Sequence, residues 1–76
     1  MIVLKDIEIT TPFIKLGQFL KHANIAASGG DVKAILYAGK VKVDGHPETR
    51  RGRKLYPLNT VEVEGEGTFT IRHADD

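Results

Sequence analysis

The segment Gly39-Lys40-Val41-Lys42-Val43-Asp44-Gly45 constrains the fold more than any other. Its apolar residues alternate like those of a half-buried strand. Asp-Gly then favours the primed turns whose twist suits a hairpin. Pro47 limits ladder pairing soon after. Upstream, Ser28-Gly29-Gly30-Asp31 is a helix start, with a Ser cap and an acidic residue three positions on. A helix is predicted from there to Ala38, and Gly39 supplies its left-handed end. Its inner face is Val32, Ile35 and Leu36, while Lys33, Tyr37 and Lys40 make a basic stripe on another face.

The flanks carry the same kind of punctuation. Ile2 to Ile9 reads as a first strand. Thr11 and Pro12 suit the cap and first position of a helix with Phe13, Leu16, Phe19, Leu20 and Ala23 on one face. Lys15, Gln18, Lys21 and His22 occupy the other face, and Asn24 is a stop signal. After the hairpin, Arg50 to Lys54 reads as an exposed loop or edge strand, and Leu55 to Leu58 is broken by Pro57. Thr60 to Glu64 and Thr68 to Arg72 alternate around a Gly65-Glu66-Gly67 turn, and residues 73–76 are expected to fray. The order implies an α+β domain, two packed helices in a helix-turn-helix-like arrangement against a small antiparallel sheet. At 76 residues the chain is read as one domain, 1–76, with its core motif at about 15–64.

Several function classes fall away. A chain this short buries only about 60% of its unfolded surface, which leaves little room for an enclosed substrate cavity. There is no cysteine for a disulfide or thiolate metal site. His22, His46 and His73 lack ligand spacing. Glu62 and Glu64 share a strand face, but they read as the solvent side of a strand and not as an acid–base pair. No nucleophile or phosphate-loop motif is present, so a non-catalytic protein with no cofactor and no metal is expected. No apolar run is long enough for a membrane. The start MIVLKDIE lacks the basic and apolar regions of a signal peptide, so a cytoplasmic protein is expected.

Charge is unevenly spread. Residues 32–54 carry seven Lys/Arg against Asp44 and Glu48, net +5, and residues 55–76 carry Arg72 against five acidic residues, net −4. A basic middle in a near-neutral chain points to a local anionic partner. Lys33, Tyr37, Lys40 and Lys42 form one edge of a nucleic-acid site, and the N–H groups at Gly29 and Gly30 offer a phosphate seat. Arg50, Arg51, Arg53 and Lys54 form a second edge. Ligand-facing arginines imply that replacing Arg50, Arg51 and Arg53 together weakens RNA binding with little change in melting temperature. Reading DNA with the second helix is disfavoured, because it carries no Asn, Gln or Arg for base contacts. A protein-interaction adaptor in a ribonucleoprotein is the alternative.

From Lys15 to Gly45 the chain resembles the alpha-L RNA-binding domain first recognised in the small-subunit ribosomal protein S-four. The matching residues are Lys15-Leu16, Leu20, Ala26-Ala27-Ser28 and Leu36 through Gly45, with Pro57 and Asn59 resembling the family's later Pro-Gly-Asp turn. Gly17 stands where the family usually has Asp, and Gly29 where an Arg usually follows the Ser. The stretch Glu48-Thr49-Arg50-Arg51-Gly52-Arg53-Lys54 is similar to the stand-alone bacterial YaaA/YbcJ-like subfamily. The resemblance implies binding of structured RNA, ribosomal or tRNA-like, with ribosomal proteins or an assembling ribosome as the setting. It implies a monomer whose RNA face adds Lys15 and Ser28 to the cations above.

Overall fold

The buried apolar residues define two layers. Leu16, Phe19 and Leu20 of one helix and Val32 and Leu36 of the next face Val41, Val43, Val61, Val63, Phe69 and Ile71 of a sheet. Phe19 meets Phe69 edge to face across the layers, ring centroids 5.4 Å apart, an arrangement that aromatic quadrupoles favour. The computed structural model describes residues 4–74. Within it β1 (Leu4–Ile9), β2 (Ile14–Lys15), α1 (Leu16–His22), α2 (Gly29–Tyr37), β3 (Val41–Val43), β4 (His46–Pro47), β5 (Lys54–Leu55), β6 (Thr60–Val63) and β7 (Gly67–His73) follow in order. The main sheet runs β1-β7-β6-β3-β4, and β2 pairs with β5 in a separate ribbon.

The α+β arrangement is as expected, with three differences of detail. The sheet is mixed, because β1 lies parallel to β7, Ile7 opposite Ile71. Local alternation carries no information about a pairing between the two ends of the chain. The first helix starts at Leu16, not after Thr11. Ile14 and Lys15 pair with Leu55 and Lys54, and the ribbon continues through Leu16 N–H to the Arg53 carbonyl (2.8 Å) and Gly17 N–H to the Arg51 carbonyl (2.9 Å). These bonds satisfy N–H groups that a helix start leaves orphaned. The Thr11 hydroxyl donates to the Phe13 carbonyl instead of capping. Finally, His73 ends β7, and Ala74 N–H donates to the Ile9 carbonyl, so order runs further than the expected fraying. The buried core likewise reaches Ile9, Phe69 and Ile71, beyond the 15–64 motif. Met1–Val3 and Asp75–Asp76, including the strand start expected at Ile2, lie outside the described residues.

The second helix is built as its sequence suggests. Ser28 Oγ accepts from Asp31 N–H (3.3 Å), and Asp31 Oδ2 accepts from Ala27 N–H (3.0 Å). Gly39 takes φ +73° just after the helix, and Asn24 takes φ +60° just after the first.

The hairpin turn does more than reverse the chain. Asp44 and Gly45 take φ +50° and +85°, as a type I′ turn requires. The Asp44 carboxylate also accepts from Asn59 Nδ2 (2.7 Å), Thr60 N–H (2.8 Å) and Thr60 Oγ1 (3.3 Å). It thereby ties the hairpin to the loop before β6. Turn preference alone predicts that Asp44→Gly is harmless. The clamp predicts a loss of about 1–2 kcal/mol, measurable as a lower urea midpoint.

Candidate nucleic-acid interface

The basic run folds around a buried acid. Glu48 N–H donates to the Val41 carbonyl, which turns the side chain inward, where only 8% of it is exposed. Its Oε2 accepts from the N–H groups of Thr49 and Arg50 and from Arg50 Nε, all at 3.1 Å. Its Oε1 accepts from Arg50 Nη2 (3.0 Å) and Arg53 Nη1 (2.9 Å). These bonds, led by the Arg50 guanidinium, pull the Glu48 pKa from 4.5 to about 2, although burial acts the other way. Arg53 N–H closes the loop onto the Arg50 carbonyl (3.2 Å).

Two adjoining depressions follow from this loop. One, of about 230 Å³, is lined by Lys15, Gly17, Gln18, Lys21, Gly29, Val32, Arg51 and Gly52. The other, of about 550 Å³, is lined by Lys33, Leu36, Tyr37, Thr49, Arg50 and Arg51. Arg51 borders both, and neither is lined by an acidic side chain. Gly17 permits the close fit, since a Cβ there would meet the Arg51 Cβ and carbonyl oxygen at 3.4 Å. Tyr37 is 72% exposed, so it is not a packing residue, and Lys33 Nζ lies 5.7 Å from its ring centroid.

The remaining expected residues are placed differently. Lys40 and Lys42 line a third depression, of about 640 Å³, with Glu62, Glu64 and Glu66. Lys42 stands directly opposite Glu62 in the β3–β6 pairing. Neither lines a depression with the arginines; the pairing of β3 with β6, and Glu64 N–H donating to the Lys40 carbonyl, set both lysines beside the acidic strand. Arg53 points inward to Glu48, its side chain 35% exposed. Lys54 lies on β5 with Nζ 4.8 Å from the Phe13 centroid. Ser28 is committed to capping α2. Gly29 and Gly30 are exposed at the start of α2, where the Asp31 carboxylate already faces the neighbouring N–H of Ala27.

Lys21 and Glu48 are the additions. Lys21 shares the polar face of α1 with Gln18, and the helical phase of the sequence already grouped the two with Lys15. Glu48 gave no sign of burial, because a lone acid in a basic run reads as solvated. Its role corrects the expectation that Arg50 and Arg53 are free for a ligand. Removing them with Arg51 leaves that buried carboxylate only its two backbone donors, so the triple replacement should lower the melting temperature as well.

A measurable pH dependence follows. The folded state keeps Glu48 ionised down to about pH 2, whereas the unfolded chain protonates it near 4.5. Its contribution is complete above pH 4.5 and lost as pH falls towards 2. Since the Arg50 side chain is 73% exposed, solvent screening leaves about 1–3 kcal/mol. Glu48→Gln should show that deficit in urea unfolding at neutral pH. The gap to wild type should narrow as pH falls from 4.5 to 2.

Residues 7–72 match the model of the S4 domain. The chain is 49% identical over 65 residues to a protein of Bacillus subtilis (strain 168) named "Probable ribosome maturation protein RlbA", covering 86% of this chain and 92% of that one. It is 33% identical over 60 residues to the "Putative RNA-binding protein YbcJ" of Escherichia coli (strain K12), covering 79% and 86%. The family match spans both helices, the hairpin and the arginine loop that closes over α1, and the chain belongs to the S4 domain family.

Proposed function

We propose that this S4 domain binds structured RNA, ribosomal RNA or an assembling ribosomal particle, through the two depressions joined at Arg51. The names of the relatives point to RNA binding and ribosome maturation, and we read the function as binding without catalysis. The observation that carries the reading is the convergence of Lys15, Lys21, Lys33 and Arg51, drawn from β2, the two helices and a loop, on a surface without acidic lining. None of the four forms an ion pair among the described residues. A cluster of uncompensated cations on fixed backbone is chemistry suited to phosphates. Tyr37 adds an exposed ring at the rim. The names of the relatives, a probable ribosome maturation protein and a putative RNA-binding protein, support the same reading. No described helix is long and apolar enough to cross a membrane, and we read the protein as a cytoplasmic monomer.

Four or five phosphate contacts imply that log affinity falls with log salt at a slope of about −4, close to one per contact. A salt titration by fluorescence anisotropy with a structured RNA measures it. Arg51→Ala should weaken binding and flatten the slope by about 1 without lowering the melting temperature. Lys40→Ala and Lys42→Ala should leave both affinity and slope unchanged. A flat salt curve with retained pull-down after ribonuclease treatment would instead identify a protein partner.

A further inference from the structure

The β2–β5 ribbon carries an aromatic pair that phosphate contacts do not use. Lys15 and Lys54 stand directly opposite one another, and neither forms an ion pair among the described residues. Like charges so placed repel, and an anion between them removes the repulsion. Beside them the rings of Phe13 and Tyr56 meet at 5.9 Å with a 50° tilt. The Lys54 ammonium covers Phe13 at 4.8 Å, whereas Tyr56 remains 49% exposed.

That exposed ring is held on a fixed backbone. Tyr56 N–H donates to Asn59 Oδ1 (2.7 Å), and Asn59 N–H returns to the Tyr56 carbonyl (3.0 Å). Asn59 is itself anchored on Asp44. An open, preorganised aromatic ring flanked by two cations suits a nucleobase outside a helix, whose face stacks while its phosphates meet the ammonium groups. Lys15 lines the smaller depression and stands opposite Lys54 in the ribbon, two residues from Tyr56.

We propose that Tyr56, backed by Phe13, is a stacking subsite for an unpaired base of the bound RNA, with Lys15 and Lys54 on the adjoining phosphates. The preferred RNA is then a stem next to unpaired nucleotides, not a continuous duplex. This rests on the RNA-binding reading above.

The test uses two RNAs with the same stem, one blunt and one with an unpaired extension, in anisotropy titrations at one salt concentration. Tyr56→Leu keeps the apolar bulk without the aromatic face, and Tyr56→Phe keeps the face. Tyr56→Leu should lower affinity for the extended RNA about tenfold and leave the blunt stem unchanged, while Tyr56→Phe changes neither. Equal losses on both RNAs, no loss on either, or a matching loss in Tyr56→Phe would overturn the subsite. Should Tyr56→Leu not fold, a fluorescent adenine analogue in the extension reports stacking with the wild-type protein. Quenching on binding supports the proposal and unchanged emission rejects it. If the wild type binds neither RNA, the RNA-binding reading falls first and takes the subsite with it.

Discussion

The Glu48 carboxylate is the interaction on which the basic surface depends. Four cations lie within five residues at Arg50, Arg51, Arg53 and Lys54. Unit charges 4 Å apart repel by about 1 kcal/mol in water and about 4 kcal/mol near a protein surface. A free loop relieves this by splaying. Here one buried acid takes two of the guanidiniums and two backbone N–H groups. The loop is fixed at three places: to β3 through Glu48 N–H, to α1 through the Arg51 and Arg53 carbonyls, and to itself through Arg53 N–H. A ligand meeting the loop would find it already ordered, without the cost of about 0.5–1.5 kcal/mol for each flexible side chain. The arginines therefore divide by their partners. Arg50 and Arg53 hold the loop's shape, and Arg51, the one between them, keeps its charge uncompensated.

The same corner accounts for two departures from the family pattern. Gly17 replaces an Asp, and Gly29 replaces an Arg. Both glycines and Arg51 line one depression. Losing one acid and one base there leaves the local charge unchanged. A Cβ at 17 would lie 3.4 Å from the Arg51 Cβ and carbonyl oxygen, so a side chain there would share the Arg51 surface, whereas glycine adds no charge to it.

Local signals carried most of the architecture. The Ser28 cap, the Gly39 stop and the Asp-Gly turn each rest on chemistry confined to a few residues, and each appears where its residues place it. What local patterns could not carry is long-range pairing. The β2–β5 ribbon extends the chain through Ile14 and Lys15, overriding a Thr-Pro helix start that is sound in isolation. The β1–β7 pairing joins the chain's ends, with no trace in periodicity. The site was legible to the same extent. Helical phase grouped Lys33 with Tyr37, but it extended the stripe to Lys40, which lies past the helix end and takes its surroundings from the acidic strands. A charge tally likewise gave Glu48 no more weight than one count against seven, although its burial decides what the arginines are free to do.

The loop before β6 shows how such tertiary bonds support local strain. Leu58 takes φ +77° and is 70% exposed, a conformation that costs a branched residue about 1–2 kcal/mol and that glycine adopts freely. Leu58 N–H donates to the Ile71 carbonyl (2.7 Å), and Ile71 N–H returns to the Asn59 carbonyl (3.0 Å). With Asn59 also bound to Asp44 and Tyr56, the conformation is determined by its neighbours, so the side chain at 58 cannot relax it away. The strain stays at the tip and the bonds around it hold the backbone of Tyr56. A turn type read from sequence would have required glycine at 58. The hydrogen bonds that hold this backbone come from Ile71 in β7, from Asp44 in the hairpin turn and from Tyr56 nearby.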